Sequence, residues 1–454
     1  WYASAALFVM AAINIYSTVC ISKVMLEAPK HVRTFGDLGE FVLGTWGRWL
    51  VTIPHMITCI LVPIAFLVLG GTLLTTLFPA SFEPETWIII MGITLLPLCL
   101  IPTLKEGAMM AAAGFLSTII ANVVALGMLV YKMHSTNVEN LSVPSPNLSF
   151  KQVATVFGNL ALAYGAGLTI PSLQREHSEP QRMPRVIVVS LVLITLLFFV
   201  DSVIGVSVLG CQIPGNLLYA IAGNELGTTF NRGGVVITYL SMQMHITIAF
   251  SVVLLPAFYT LERLFLGIHK PVVAIAAAAQ AQDDVEAAGP IGFVSSHTPN
   301  SPTKIATDDD AHDIDSATYS QPGVFPKVAV LRIVTVACCV VVAVLWKDRL
   351  LDLLDFAGGS TYSLCCMIVP MVLSLKHFGK RLHVVERALA ILACLIVAFL
   401  GAYVTYITAG PLFSPAPKAI DVTIWDSPKF SYCSDSFVNV IYTNTSYHSA
   451  WRKP

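Results

Sequence analysis

The stretch best suited to chemistry is Tyr164-Gly165-Ala166-Gly167, followed by Pro171, near the middle of a long apolar run. Glycine costs about 1 kcal/mol relative to alanine inside a helix, and proline removes a backbone donor. These residues therefore predict an interrupted helix. Unwound backbone within a membrane can bind the charged ends of a small molecule where it lines a cavity. A close helix–helix contact through small residues would use the same residue types.

Three polar side chains lie in other apolar runs, where polar residues are rare and are candidates for function. Asp201 follows Phe198-Phe199-Val200, and its carboxyl group suits a proton carrier. His245 titrates closest to physiological pH, which suits coupling or gating, and Thr247 lies two residues further on. A carboxylate hydrogen-bonded near the outer surface and a histidine packed between helices are the structural alternatives.

The composition places these residues in a membrane protein. The chain has 454 residues, of which 56% are hydrophobic and 12% are charged, whereas soluble proteins carry roughly 25% charged residues. A soluble enzyme is excluded. With 26 Lys and Arg against 27 Asp and Glu, nucleic-acid binding has no electrostatic basis.

Long apolar runs predict about ten transmembrane helices, because backbone groups cannot stay unpaired in lipid. The predicted fold class is therefore an all-α polytopic membrane protein. The predicted spans are residues 1–24, 50–77, 87–104, 109–131, 152–172, 186–209, 235–259, 328–346, 359–375 and 388–407.

Orientation follows from basic residues, which are retained on the cytoplasmic side. They are concentrated after the first, fifth and ninth predicted spans, as in Lys30, Arg175 and Lys380. Glycosylation sequons begin at Asn140, Asn147 and Asn444. All three lie on the opposite side, so we expect glycosylation in the secretory route.

The chain divides into four predicted parts. Residues 1–270 hold helices one to seven, and residues 326–410 hold helices eight to ten. Residues 271–325 are acidic and poor in large apolar side chains, which predicts a disordered cytoplasmic loop. Residues 411–454 form a non-cytoplasmic tail.

Two of the ten cysteines lie outside the predicted spans, on the oxidising side of the membrane. We therefore expect a disulfide between Cys211 and Cys433. The other eight are expected to act as small apolar side chains within spans. No CxxC pair is present, so no metal or redox site is predicted.

The order of the spans and several motifs resemble the amino acid/auxin permease family, over nearly all of residues 1–408. These motifs are the Tyr164–Gly167 interruption, Pro171-x-x-Gln174, the Pro180…Met183-Pro184 turn, Asp355-Phe356-Ala357-Gly358-Gly359 and Pro370. The resemblance implies a five-plus-five inverted repeat, as in leucine-transporter-like folds. The first span resembles the family's second helix, so we expect the family's first helix to precede Trp1.

This resemblance implies a secondary active transporter that moves amino acids by alternating access. The small-molecule substrate is expected at Ala163, Tyr164, Gly165, Ala166, Gly167 and Thr169. We expect protons as the coupling ion through Asp201 and His245. Sodium is the alternative, because Thr247 aligns with a hydroxyl residue of sodium-coupled members. An intrahelical hydrogen bond would also explain Thr247.

Other functions have weaker support. An amino acid sensor of the same fold, with little transport, is the main alternative. The chain contains no HExxH or GxSxG motif and no Walker A sequence, so neither an enzyme nor an ATP-driven pump is expected. No cofactor and no protein partner is indicated. The host is predicted to be the plasma membrane or a vacuolar or lysosomal membrane.

Overall fold

The computed structural model describes residues 2–101, 107–136, 149–222, 230–268, 319, 321–414, 430, 432 and 433. These residues are nearly all helical and include no β-strand. The α-helices are α1 (Tyr2–Glu27), α2 (Phe35–Leu43), α3 (Thr45–Leu77), α4 (Pro84–Cys99), α5 (Gly107–Thr136), α6 (Phe150–Ala163), α7 (Ile170–Glu176), α8 (Met183–Leu209), α9 (Leu217–Ile221), α10 (Arg232–Leu261), α11 (Val324–Leu345), α12 (Leu350–Ala357), α13 (Val369–Phe378) and α14 (Val384–Phe413).

Eight helical segments in the described part of the chain are long and apolar enough to cross a membrane. The prediction of an all-α polytopic membrane protein is confirmed. Two of the ten predicted spans are not single long helices in the structure. The third corresponds to α4, which has only 16 residues, and the fifth is divided between α6 and α7.

The ninth span begins at Leu350 rather than at Gly359. Helix α12 continues directly into a π-helix, Gly358–Ile368, and then into α13. Helix α12 contains two carboxylates, Asp352 and Asp355, which reduce the local hydropathy. The start of the span was therefore predicted too late in the sequence. The structure buries Asp355 against α6, so this charged residue belongs to the span.

Buried apolar side chains form two cores. The first core joins α3, α4, α5, α10 and α11 and contains Leu67, Phe250 and Val336. The second core joins α1, α6, α8 and the π-helix and contains Ile21 and Tyr164. Helix α3 contributes to both cores and is mostly buried.

The outer helices are apolar and exposed. Most of α8 and α14 is unburied, including Leu193 and Phe399. Apolar side chains facing outward are expected where lipid replaces water as the solvent. These two helices therefore present lipid-facing surfaces.

A buried ion pair joins the C-terminal end of α10 to α11. Arg332 Nε donates to Glu262 Oε1 at 2.7 Å, and the Tyr319 hydroxyl donates to Glu262 Oε2 at 2.7 Å. Arg332 also donates to the backbone oxygens of Cys99 and Ile101, at 2.9 and 3.0 Å. The cluster therefore fixes the end of α4 against α10 and α11.

The structure joins Cys211 and Cys433 in a disulfide, with a Cα–Cα distance of 4.8 Å. This is the pairing expected from the sequence. The bond attaches the segment around Cys433 to the turn after α8. Other expectations lie outside the described residues: the sequons at Asn140, Asn147 and Asn444, residues 271–318 of the acidic loop, and most of the tail.

Candidate functional site

The helix predicted to be interrupted near residue 166 is interrupted there. Helix α6 ends at Ala163, a 3-10 turn covers Gly165–Leu168, and α7 begins at Ile170. Ala166 N–H donates to Tyr164 O at 2.7 Å, and Thr169 N–H donates to Ala166 O at 3.2 Å. The regular α-helical hydrogen-bond ladder therefore does not run through this segment.

Gly165 allows the interruption to approach the π-helix closely. A Cβ atom at Gly165 would collide with the ring of Tyr362. The Cys366 thiol, one turn further along the π-helix, donates to Gly165 O at 3.8 Å. π-Helical turns inside α-helices are frequent at functional sites, and here the interrupted helix packs directly on a π-helix of 11 residues.

Tyr164 attaches the interruption to α8. Its hydroxyl donates to Thr195 Oγ1 at 2.9 Å, and Thr195 donates in turn to Leu191 O at 2.7 Å. The Tyr164 ring packs edge-on against Phe198, with the ring centroids 5.6 Å apart. The first residue after α6 is therefore held by one hydrogen bond and one aromatic contact.

A second attachment lies two turns earlier in the chain. Asn159 Nδ2 donates to Asp355 Oδ1 at 2.5 Å, linking α6 to α12. Beside it, a Cβ atom at Gly158 would lie 2.6 Å from Asp355 O, and one at Gly358 would collide with Gly158 O. Small residues thus bring these backbones together, as in many membrane helix pairs.

Helix α7 is attached to the end of α1. Gln174 Nε2 donates to Ser22 O at 3.1 Å. Arg175 donates to the backbone oxygens of Ala28, Pro29 and Val32, at 2.9, 3.0 and 2.8 Å. The side-chain hydrogen bonds of the two halves therefore go to different helices, from α6 to α12 and from α7 to α1, although α1 also packs against α6.

The predicted substrate-binding residues differ in how far they are exposed at the surface of the protein. Ala163 and Ala166 are exposed and three residues apart, so they share one side of the turn. Gly165 and Thr169 are half-buried, while Tyr164 and Gly167 are buried. The accessible part of the predicted site is therefore the Ala163–Ala166 side, with Tyr164 and Gly167 behind it.

Of the three predicted ion-coupling residues, Asp201 lies in α8, and His245 and Thr247 lie in α10. Asp201 Oδ2 accepts from Asn122 Nδ2 at 3.2 Å, and His245 Nδ1 is 3.2 Å from Gly114 O. Both of these partners are in α5. The interruption bonds instead to Thr195 of α8, the helix that carries Asp201, and to the π-helix. Thr247 donates to Gln243 O at 2.8 Å, one turn back in its own helix.

One row of polar residues was not predicted as a group from the sequence. Asn14, Thr18 and Ser22 follow one another at intervals of four residues on α1, and the structure buries all three completely. Gln174 is buried beside Ser22. The spacing was visible in the sequence, but these are small polar residues within an apolar run, so they carried no separate signal.

Within the described ranges, His, Cys, Asp and Glu side chains form no group of three that could hold a metal ion.

Comparison with known proteins places this site in context. The family model described as "Transmembrane amino acid transporter protein" matches residues 1–412. Amino acid transporter AVT1E of Arabidopsis thaliana is 20% identical over 222 residues, which are 47% of this chain and 41% of that protein. Amino acid transporter AVT1I, from the same plant, is 23% identical over 217 residues, 47% of this chain and 53% of that protein. The chain thus spans about half the length of these curated relatives.

Proposed function

Because the chain belongs to the transmembrane amino acid transporter family, we propose that it carries amino acids across a membrane as a secondary active transporter. The observation that carries this proposal is the helix interruption at Tyr164–Thr169, packed against a π-helix. An amino acid is a zwitterion, and helix ends and irregular backbone supply partial charges of both signs. The described part of the chain holds eight helical segments that are long and apolar enough to cross a membrane.

The substrate site in this proposal is the backbone from Ala163 to Thr169. The exposed Ala163–Ala166 side contacts the amino acid, and Tyr164 and Gly167 set the shape of the turn from behind. Alternating access moves one group of helices relative to another around the binding site, and an interrupted span can join two such groups. The different attachments of α6 and α7, to α12 and α1 respectively, support this.

The coupling ion in this proposal is a proton, and transport is symport. Asp201 is the proposed carrier, with Asn122 as its hydrogen-bond partner, and His245 is the second candidate. Sodium coupling through Thr247 has less support, because the hydrogen bond from its hydroxyl to Gln243 O accounts for this residue without an ion.

The test is uptake by purified full-length protein in liposomes. An inward proton gradient should drive accumulation of radiolabelled amino acids, and collapsing the gradient should abolish it. Asp201→Asn should lose gradient-driven accumulation but keep exchange of amino acids across the membrane. Asp348→Asn, at a largely exposed carboxylate, is the matched control and should behave as wild type.

Three outcomes would contradict parts of the proposal. Accumulation that needs sodium and ignores the pH gradient would overturn proton coupling. Amino acid binding without flux would favour a sensor. Neither binding nor flux with any of the common amino acids would overturn amino acid transport itself.

A further inference from the structure

The polar residues of α1 leave a row of acceptor atoms without partners. Asn14 Oδ1, Thr18 Oγ1, Ser22 Oγ and Gln174 Oε1 are each buried and have no hydrogen-bond partner among the residues that the structure describes. We call these four atoms the acceptor row. Buried polar atoms are normally paired, because an unpaired one has lost its hydrogen bonds to water without replacement. Four on adjacent residues therefore point to a ligand.

The hydroxyl groups of the row differ from most others in the spans, and among the buried threonines only Thr238 of α10, in the described residues, shares their lack of a partner. Buried serine and threonine side chains in lipid usually donate to the carbonyl one turn back. Many hydroxyls here do so, including those of Thr58, Thr72, Thr76, Thr195, Thr335 and Thr408. Thr18 and Ser22 do not, although both are completely buried. The hydroxyl oxygens of Thr18 and Ser22 are thus available to bind a ligand.

The amide groups of the row also leave acceptors free. Asn14 Nδ2 donates to Met10 O at 2.8 Å, and Gln174 Nε2 donates to Ser22 O at 3.1 Å. A carbonyl oxygen only accepts, so each amide must turn its nitrogen toward that carbonyl. The two amide oxygens, which can only accept, then remain unpaired. The row is therefore complementary to a cation or to a donor group.

The spacing of the row suits one small ion. Side chains four residues apart on a helix have Cβ atoms about 5–6 Å apart, so oxygens of Thr18 and Ser22 can approach a common point between them. The hydrogen bond from Gln174 Nε2 to Ser22 O places the Gln174 amide beside Ser22. Asn14 lies one turn further along α1. Hard cations take oxygen ligands, and divalent cations favour carboxylates. The four side chains of the row are uncharged, so they suit a monovalent cation better than a divalent one.

The row also lies near the interrupted helix. Ile21 shares the buried side of α1, and its Cδ1 is 3.4 Å from where a Cβ atom on Gly167 would lie. Gln174 itself belongs to α7, the second half of the interrupted span. An ion in the row would therefore contact the element that the proposed transport cycle moves.

We propose that Thr18, Ser22 and Gln174, with Asn14 one turn away, form a site for a small monovalent cationic group. Two sources share this chemistry: a sodium ion, and the ammonium group of the substrate. The ammonium source rests on the proposed amino acid transport, whereas the sodium source does not. Neither source uses Asp201, His245 or Thr247.

The test is the thermal melting temperature of the purified full-length protein in detergent. The first arm compares sodium chloride with choline chloride at equal ionic strength and without amino acids. The second arm, in choline chloride, compares a mixture of the common amino acids with the same mixture N-acetylated. A ligand that binds only the folded protein raises its stability, and we expect a rise of about 3 °C or more at saturation in one arm.

The variant Thr18→Val/Ser22→Ala should lose that rise. Thr72→Val/Thr76→Val is the matched control, because these residues have the same spacing and back-bonded hydroxyls. The control should keep the rise. Should the double variant fail to fold, Ser22→Ala alone removes one oxygen atom, and its rise should need several-fold more ligand.

Each outcome decides the proposal. A rise with sodium that the double variant loses identifies an alkali-cation site. A rise with free amino acids but not with N-acetylated ones, lost in the same variant, identifies an ammonium site. No rise in either arm, or an equal rise in the double variant, overturns the site and leaves water as the occupant. Liposome uptake measured in parallel separates this failure from a failure of amino acid transport.

Discussion

The hydroxyl of Tyr164 donates a hydrogen bond to Oγ1 of Thr195 at 2.9 Å, and both residues are buried. This bond attaches the first residue after α6 to the middle of α8. The donor lies at the helix interruption and the acceptor is 31 residues away. The conformation of the interruption therefore depends on a helix whose opposite side faces lipid.

Replacing Thr195 should cost more stability than replacing Tyr164. Thr195→Val leaves a buried tyrosine hydroxyl without an acceptor, which costs about 1–3 kcal/mol. Tyr164→Phe removes the donor but leaves Thr195 bonded to Leu191 O, so its cost should be smaller. Thermal unfolding in detergent measures both. Thr335→Val is the control, because that hydroxyl bonds only within α11. Equal melting temperatures for Thr195→Val and this control would contradict the prediction.

The buried pair Arg332–Glu262 should be sensitive to loss of one partner. Arg332→Met leaves the Glu262 carboxylate buried without its cation, which costs about 3–5 kcal/mol. The double variant Arg332→Met/Glu262→Met should be more stable than Arg332→Met, since neither charge remains. Thermal unfolding of the single and double variants tests this.

An exposed ion pair provides the control for that experiment. Arg182 Nε lies 2.5 Å from Glu179 Oε2, and both side chains are largely exposed. Exposed pairs contribute about 0–1 kcal/mol, so Arg182→Met should change stability little. Similar losses in Arg182→Met and Arg332→Met would show that burial does not determine the effect.

The disulfide should be recovered chemically. Non-reducing digestion followed by mass spectrometry should yield one cross-linked peptide pair that contains Cys211 and Cys433. Cys211→Ser/Cys433→Ser should lower stability by about 2–5 kcal/mol, because the bond constrains a long loop of the unfolded chain. Cys338→Ser, at an exposed thiol without a disulfide, is the control. Alkylation of both thiols in unreduced protein would contradict the assignment.

The sequence predicted the elements of this fold better than their contacts. Glycine and proline positions indicated the interruption near residue 166, because their backbone preferences are local. The same residues also fitted a close helix–helix contact, and Gly165 makes one with Tyr362. The start of the ninth span was predicted incorrectly. Asp355 lowers hydropathy, and only a residue 196 positions earlier in the chain, Asn159, explains why it is buried.

The candidate site shows the same limit. Composition and order identified Tyr164 and Gly165, but neither Thr195, which accepts from Tyr164, nor the contact between Tyr362 and Gly165. The acceptor row needed the burial of α1 to become visible, because four-residue spacing alone also fits simple packing. Partners distant in the sequence are set by packing between helices, which hydropathy does not specify.

The proposed substrate-binding site is the helix interruption at Tyr164–Thr169. Its most direct test compares Gly165→Ala with Gly127→Ala in counterflow of radiolabelled amino acids, using full-length protein in liposomes. A Cβ atom at Gly165 would collide with the Tyr362 ring, whereas one at Gly127 would have no atom within 4 Å. We predict that Gly165→Ala lowers counterflow about tenfold or more through overpacking at the turn, and that Gly127→Ala transports as wild type. Equal counterflow by Gly165→Ala, Gly127→Ala and wild type would contradict the account.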